Sequence, residues 1–232
     1  MPIARDLREK KSDDTNRSHN EGEHTSRLYV FIKRSIDILL SGALIVLCIP
    51  VLLLIALVIK FDSRDPIFWS QVRVGKDGKH FRLLKFRTMV ASDVPQSSYL
   101  QDLVKDAGKS TDHSDRVFKL IGDPRITRVG RFLRKYALDE LPALLNVLRG
   151  DMSLVGPRAL HPYEVEFFRL DQTNRFRVKP GITGIWQVSG QTQDFKEMVK
   201  MDIDYASRQS LVLDLSILLR TIPAAFSGKS TH

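Results

Sequence analysis

The sequence is poor in cysteine. Its only cysteine, Cys48, lies inside an apolar stretch. One thiol cannot form an intramolecular disulfide, and a cysteine-based zinc site needs several such residues. This scarcity excludes a disulfide-stabilised scaffold and a zinc finger, and it is consistent with a reducing compartment.

The sequence is too short for two large domains. It also has too few acidic residues to balance its basic ones. Its 232 residues accommodate one ordinary domain with short extensions. The net charge of +9 indicates an anionic partner. Nucleic acids, anionic lipids and phosphorylated small molecules all fit this charge. Because the basic residues have neither an aromatic stacking platform nor a recognised nucleic-acid motif, we expect no nucleic acid among the partners.

Apolar residues are scarce at the start of the chain. We therefore predict a disordered tail over residues 1–27 and a second tail over residues 227–232. The first long apolar run begins too late, and is too long, for a secretory signal peptide.

That run, residues 38–59, contains no charged residue. As a helix it is about 33 Å long, close to the thickness of the hydrocarbon core of a bilayer. Basic residues flank it on both sides, so the positive-inside rule places both ends in the cytoplasm. Pro50 is expected to kink or break the helix. We therefore predict a membrane-associated helix over residues 28–62, broken at Pro50, and favour a re-entrant helix over a spanning one.

Residues 63–226 are predicted to form one compact cytoplasmic domain. Two β-rich pieces, IFWSQVRV and FRLLKFRTM, flank Gly75-Lys76-Asp77-Gly78, a sequence typical of a hairpin turn. From residue 126 the pattern becomes helical until Gly150, which favours a helix end. Asp139 is predicted to be the N-cap of the second helical stretch.

Asp139 and Glu140 allow two interpretations. They are either a cap and an ordinary first-turn acid, or carboxylates at a helix N-terminus, where free amides and the helix dipole favour phosphate binding. The neighbouring cations outnumber these two carboxylates, which favours the second interpretation because it implies an absent anion. These cations are Arg131, Arg134, Lys135, Arg149 and Arg158.

Two glycine-containing segments, LVGPR and KPGITGIWQVSG, are predicted to be loops that bring backbone close to a ligand. Gly181, Gly184 and Gln187 of the second segment are the candidate substrate-loop residues.

Near the C-terminus, VLDLSILLRTIPAAF is amphipathic and is predicted to end at Pro223. It either packs on the core or lies on the membrane surface.

Four motifs follow one another in this chain: KRSID, QVRVGKDGKHFRLLKFRTM, DPRITRVGRFLRKYALDELPALLNVLRGDMSLVGPR and KPGITGIWQVSG. In this order they resemble the bacterial sugar transferases, the monotopic phosphoglycosyl transferases, over residues 33 to 226. With this resemblance we expect a mainly helical α+β fold, in which a re-entrant membrane helix joins a cytoplasmic catalytic domain with amphipathic surface helices.

The resemblance places the catalytic pair of that family on Asp139 and Glu140. It implies that the aspartate attacks the β-phosphorus of a UDP-sugar, releases UMP and forms a covalent phosphosugar intermediate, which undecaprenyl phosphate then attacks. A carboxylate is a known nucleophile at phosphorus. Glu140 is expected to handle a proton or, together with Asp139, to hold Mg²⁺.

Lys85 and Arg134 match family positions associated with the phosphates or the active site, and Arg158 and Arg87 are further candidates for phosphate binding. Each of these cations could instead form a structural ion pair. The expected partners are a UDP-sugar, a polyprenyl phosphate and the lipids of a bacterial inner membrane, with the catalytic domain on the cytoplasmic face. A homodimer is left open.

Two questions remain open at the level of sequence. Family members commonly carry proline at the position of Ala159 and often arginine at that of Gln191, so the sugar stays unassigned. The alternative function is a membrane-bound glycosyltransferase that releases UDP, with Asp202 and Asp204 as a DxD-like metal motif.

Overall fold

The computed structural model of the chain describes residues 27–63, 65–90, 125–165, 170–190 and 194–226. Within these residues the fold is mainly helical, with small two-stranded sheets, as the expected α+β class requires. The helices are α1 (Arg27–Asp62), α2 (Arg128–Lys135), α3 (Leu144–Arg149), α4 (Pro162–Val165), α5 (Ile185–Val188), α6 (Phe195–Arg208) and α7 (Leu211–Phe226). The strands are β1 (Phe68–Val74), β2 (His80–Phe86), β3 (Ser153–Val155) and β4 (Gly181–Thr183), and 3₁₀ helices cover Lys76–Gly78, Leu138–Ala143 and Leu170–Arg177. Residues 1–26 and 227–232 of the predicted tails lie outside the described residues.

Helix α1 is continuous from Arg27 to Asp62, with Pro50 inside it. The structure therefore shows no break at Pro50, and a kink at this residue stays a prediction. Proline removes a single backbone donor, and the turns on either side keep their hydrogen bonds, so a long apolar helix can pass through it. By length and composition α1 is able to cross a membrane. Its outer face exposes large apolar side chains: Leu39, Val46, Leu47, Leu53, Leu54, Leu57 and Phe61.

The start of α1 is fixed to the catalytic domain by charged side chains. The Arg34 guanidinium donates to the carbonyl oxygens of Val147 (2.6 Å) and Leu148 (2.7 Å), near the C-terminal end of α3. Lys33 forms an ion pair with Asp214 of α7, at 2.7 Å. Cations at a helix C-terminus satisfy carbonyls that have no partner within the helix. The KRSID motif therefore attaches α1 to both α3 and α7.

The end of α1 is fixed to the same domain by apolar packing. Ile59 is buried in a cluster with Phe86 of β2 and Leu133 of α2. One residue beyond α1, Ser63 accepts a hydrogen bond from Arg87, next to β2. Both ends of α1 thus contact the one catalytic domain.

The predicted hairpin is confirmed, since β1 and β2 pair antiparallel from Phe68 with Phe86 to Val74 with His80. Its turn places Asp77 (φ 55°) and Gly78 (φ 72°) in the left-handed region, which aspartate and glycine tolerate. The fully buried Asn146 then ties the hairpin to α3. Its Oδ1 accepts from the Leu84 amide at 3.0 Å, and its Nδ2 donates to a carbonyl of the same strand at 2.8 Å.

The two glycine-containing segments are not simple loops, because they form the parallel strands β3 and β4. Ser153 pairs with Gly181, and Val155 with Thr183. A Cβ built on Gly181 would lie 2.1 Å from the backbone nitrogen of Gly156. These glycines therefore allow two backbone segments of the protein to approach each other. The close approach that the structure shows at Gly181 is to the protein's own backbone, and close approach to a ligand stays a prediction.

Helix α7 is amphipathic, as predicted, but it continues through Pro223 to Phe226, so its predicted end is wrong. Asp214 and Ile217 on its inner face are buried. Its outer face exposes Val212, Leu215, Leu219 and Ile222, which recur every three or four residues. The inner face packs on the core, and an apolar stripe remains on the surface.

Candidate active site

Asp139 and Glu140 lie in the first turn of the 3₁₀ helix Leu138–Ala143, which we call the dyad helix. The N-cap of this helix is Ala137, in the left-handed conformation (φ 53°, ψ 23°). The predicted N-cap role of Asp139 is therefore wrong: the chain turns at Ala137 and the helix begins before the aspartate. A non-glycine residue in this conformation costs roughly 1–2 kcal/mol, and such strain is concentrated at functional sites.

The Asp139 side chain is buried, with 3% of its surface exposed. Its Oδ1 atom has no hydrogen-bond partner among the described residues. Burying a carboxylate oxygen without a donor is unfavourable, so a fold that retains one implies a use for it. The arrangement leaves this oxygen available to an electrophile or a cation.

Cations from two elements meet the dyad helix. Lys85 of β2 forms an ion pair with Glu140. The Nε atom of Arg134 in α2 donates to Thr88 Oγ1 at 2.9 Å, just beyond β2. The structure thus places Lys85 at the dyad and Arg134 beside the end of the same strand, where a substrate phosphate would find positive charge.

Arg158 is held by a buried carboxylate. Its Nη1 lies 2.9 Å from Oε1 of Glu164, and its guanidinium stacks over the Trp186 ring at 5.8 Å. Arg73 approaches the same carboxylate at 3.9 Å. Burial raises the pKa of Glu164, but the charges of Arg158 and Arg73 outweigh this effect and lower it to about 2. Glu164 is therefore ionised at neutral pH and fixes the orientation of both guanidinium groups.

Three residues of this cluster were not predicted from the sequence: Arg73, His161 and Glu164. Burial lowers the pKa of Arg73 to about 10, and the charge of Arg158 adds to this shift, whereas the charge of Glu164 opposes it. Burial, reinforced by the charge of Arg73, lowers the pKa of His161 to about 3, so this imidazole is neutral at physiological pH. The position of Arg73, a charged residue inside the apolar strand β1, could have marked it as a candidate site residue from the sequence alone. Glu164 is a single glutamate in a short helix, and its sequence position gives no such indication.

The remaining predicted residues are distributed differently. Arg87 is buried against Ser63 and Asp65 at the end of α1, in a structural ion pair. Gln187 of α5 and Glu140 both line a cavity beside the dyad helix. The buried Oε1 of Gln187 has no hydrogen-bond partner within the described part of the chain. A Cβ on Gly184 would lie 2.3 Å from a backbone oxygen, so this glycine serves close packing.

The DxD-like pair does not form one metal site. On α6, Asp202 is buried in an ion pair with Arg175, whereas Asp204 pairs with Arg208 at the surface. The described residues contain no cluster of three or more side chains of the types that ligate metals. The geometry therefore gives no support to the alternative metal motif.

Glu164→Gln is expected to destabilise the protein by about 3 kcal/mol, because it leaves two buried guanidinium groups without their counter-charge. Since the folded-state pKa of Glu164 is lowered, its contribution is present above the pKa of an unfolded glutamate and is lost as the pH falls towards 2. Thermal unfolding measured between pH 7 and pH 3 checks both effects. Asp204→Asn, which breaks an exposed pair, is the control and should change stability by less than about 1 kcal/mol. Equal stabilities for the two variants would contradict the assigned role of Glu164.

The family model described as bacterial sugar transferase matches residues 28–228. The chain belongs to the bacterial sugar transferase family. The resemblance drawn from the four motifs is thereby confirmed, and this sugar transferase is an enzyme of the sugar-phosphate transferase class, as its named relatives are.

Three relatives illustrate the similarity. The UDP-galactose-lipid carrier transferase of Erwinia amylovora is 41% identical over 88% of this sugar transferase and 42% of its own length. The exopolysaccharide production protein ExoY of Sinorhizobium fredii is 37% identical over 86% of this chain and 88% of its own. The UDP-glucose:undecaprenyl-phosphate glucose-1-phosphate transferase of Caulobacter vibrioides is 38% identical, with coverages of 86% and 72%. The chain thus spans less than half of the Erwinia relative and most of the other two.

Proposed function

We propose that this sugar transferase moves a hexose-1-phosphate from a UDP-sugar to undecaprenyl phosphate and so initiates assembly of an exopolysaccharide or a related glycan. The observation that carries the proposal is the buried Asp139 carboxylate, whose Oδ1 has no partner among the described residues and whose neighbour Glu140 is paired with Lys85. The names of the relatives support the substrate class, since they refer to UDP-sugars and undecaprenyl phosphate.

The proposed reaction has two displacements at one phosphorus. In the first, an oxygen of Asp139 forms a bond to the β-phosphorus, and the bond between this phosphorus and the bridging oxygen breaks. UMP leaves with that electron pair. In the second, an oxygen of the lipid phosphate attacks the same phosphorus, and the acyl-phosphate bond breaks. The carboxylate of Asp139 is regenerated, and the product is a polyprenyl diphosphate sugar. The two steps keep the two phosphorylated substrates from having to react directly.

The cations have separate roles in this scheme. Lys85 and Arg134 stabilise the phosphates at the dyad, and Arg158, oriented by Glu164, offers a planar fork suited to a second phosphate contact. Glu140 holds or accepts a proton and keeps Lys85 in place. His161 is neutral and therefore adds no charge to the cluster.

Magnesium fits the donors that the dyad offers. Mg²⁺ is commonly bound by one or two carboxylates together with substrate phosphates and water, and Asp139 and Glu140 provide such a pair. The free Asp139 Oδ1 is the observation that favours such a cation. When bound, Mg²⁺ would neutralise part of the phosphate charge that repels an anionic nucleophile. A homodimer remains a prediction.

We further propose that α1 is re-entrant in the bacterial inner membrane and that the catalytic domain lies on the cytoplasmic face. The support is that Arg34 at one end of α1 and Ser63 beyond the other end both bond to the catalytic domain, while the outer face between them exposes apolar side chains. A helix whose two ends are held by one domain on one side of a bilayer enters the lipid and returns only if it bends between them, and Pro50 is the residue at which we place this bend. Protease cleavage of an N-terminal tag only from the periplasmic side would contradict this topology.

The function is tested with purified protein in lipid nanodiscs, undecaprenyl phosphate, Mg²⁺ and a panel of UDP-sugars. We expect UMP as the nucleotide product with one of these donors, and label from that sugar on the protein when acceptor is omitted. UDP as the product would favour the glycosyltransferase alternative and would overturn the proposal. Product analysis by anion-exchange chromatography distinguishes the two nucleotides.

A further inference from the structure

A cavity of about 620 Å³ lies where α1, the dyad helix and α7 meet. Leu44 and Cys48 of α1 form one wall, and Leu218 and Ala225 of α7 form another. Most of its lining side chains are apolar, but Glu140 also lines it. The cavity therefore joins a hydrocarbon-like interior to the catalytic dyad.

Two walls of the cavity expose large apolar side chains on the side that faces away from it. On α1, Leu47 is 76% exposed although it is adjacent to Cys48, which lines the cavity. On α7, Ile222 is 59% exposed although Ala225, three residues later, lines the cavity. We place the exposed apolar stripe of α7 in the same lipid as α1, so that both helices have one face in lipid and one face on the cavity. A hydrocarbon chain can thus pass between the two environments without crossing water.

The charge distribution selects an amphiphile with an anionic head. Glu140 in the cavity wall is paired with Lys85, and Arg134 donates to Thr88 just beyond the strand that carries Lys85, so positive charge lies on the protein side of the dyad. A phosphate placed at these cations leaves its attached chain beside the cavity. An uncharged lipid would match the apolar walls but would have no partner for the cations.

We propose that this cavity binds the phosphate-proximal part of the isoprenoid chain of the acceptor lipid, an inference that rests on the proposed function. At roughly 30 Å³ for each non-hydrogen atom, the volume that water occupies in the liquid, the cavity holds about 20 such atoms. This corresponds to about four isoprene units. The remainder of the chain stays in the bilayer. The cavity aligns the phosphate with the dyad for the second displacement and takes no part in the first.

Matched substitutions on the two helices test this assignment. Cys48→Trp and Ala225→Phe fill the cavity, whereas Leu47→Trp and Ile222→Phe place the same side chains on the lipid-facing surface. We expect the cavity-filling variants to release UMP in a single turnover without acceptor as the wild type does. Their transfer of sugar phosphate to undecaprenyl phosphate should fall by at least about tenfold, which corresponds to roughly 1.4 kcal/mol. The surface variants should retain both activities.

Each other result would overturn the assignment. Unchanged transfer in the cavity-filling variants would show that the chain binds elsewhere, and equal losses in the surface variants would show a general effect on the membrane helices. Loss of the single-turnover UMP release would connect the cavity with the donor. A wild type that releases UDP would instead contradict the proposed function itself, so the two failures are distinguishable.

Photocrosslinking tests the same assignment on the wild-type protein. It does not depend on catalytic turnover, and it requires no substituted protein that could fail to fold. A polyprenyl phosphate with a diazirine in its first four units is expected to label the cavity-lining residues Leu44, Cys48, Leu218 and Ala225. Unlabelled undecaprenyl phosphate should compete. Labelling confined to the lipid-facing residues would contradict the proposal. Equal labelling by a phospholipid with a diazirine in its acyl chain would identify the cavity as a general lipid pocket and would also contradict it.

Discussion

Asp139→Asn is expected to abolish catalysis and at the same time to leave the protein at least as stable as the wild type. The amide is not an effective nucleophile at phosphorus, so UMP release should fall by about 10⁴-fold or more, as for the loss of other catalytic nucleophiles. The carboxylate is buried, and its Oδ1 has no partner among the described residues. Removing its charge therefore relieves a desolvation penalty of about 1–3 kcal/mol.

The two effects are measured on the same preparation, as UMP release and as the midpoint of thermal unfolding. Glu140→Gln is the matched comparison, because it changes the adjacent carboxylate and removes the charge that pairs with Lys85. We expect it to reduce the rate less than Asp139→Asn and to lower the midpoint. If Asp139→Asn unfolded the protein, or released UMP at the wild-type rate, the nucleophile assignment would be wrong.

The sequence was sufficient to predict structure where the residues that determine an element lie close together along the chain. Glycine and aspartate at residues 75–78 predicted the hairpin because few residues tolerate the left-handed turn that the structure contains at Asp77 and Gly78. The apolar run predicted a helix able to cross a membrane, and the charges of KRSID marked its start. The position of Asp139 came from the resemblance, because spacing alone did not distinguish a catalytic carboxylate from a cap.

The sequence was insufficient where a residue's role depends on contacts distant along the chain. Glu164 orients Arg73 from a separate element, and the local sequence around each residue does not predict this ion pair. The break expected at Pro50 is absent from α1, and the part of the helix that follows this proline packs on β2 and α2 through Ile55 and Ile59. The parallel pairing of β3 and β4 joins segments of only three residues each, too short for a recognisable strand pattern.

Gly181→Ala is expected to destabilise the fold by about 3 kcal/mol or more, because the added methyl group has no space. Its carbon would lie 2.1 Å from the backbone nitrogen of Gly156 and 2.4 Å from the carbonyl oxygen of Thr183. Neither neighbour is a flexible side chain, so relief requires separation of β3 from β4. Thermal or chemical unfolding in detergent measures the loss. Gly42→Ala is the control, since a Cβ there meets nothing within 4 Å and alanine favours a helix by up to about 1 kcal/mol.

The same variant decides between two roles for this glycine. If Gly181 served to admit the sugar nucleotide, Gly181→Ala would unfold at the wild-type temperature and would only raise the KM for the donor. If it serves the pairing of β3 with β4, stability falls first, and Arg158 is displaced because it bridges to Gly181 through its backbone. Loss of donor phosphate contacts then follows from the loss of the strand pair. A selective rise in KM at unchanged stability would contradict the structural role and would restore Gly181 to the substrate loop.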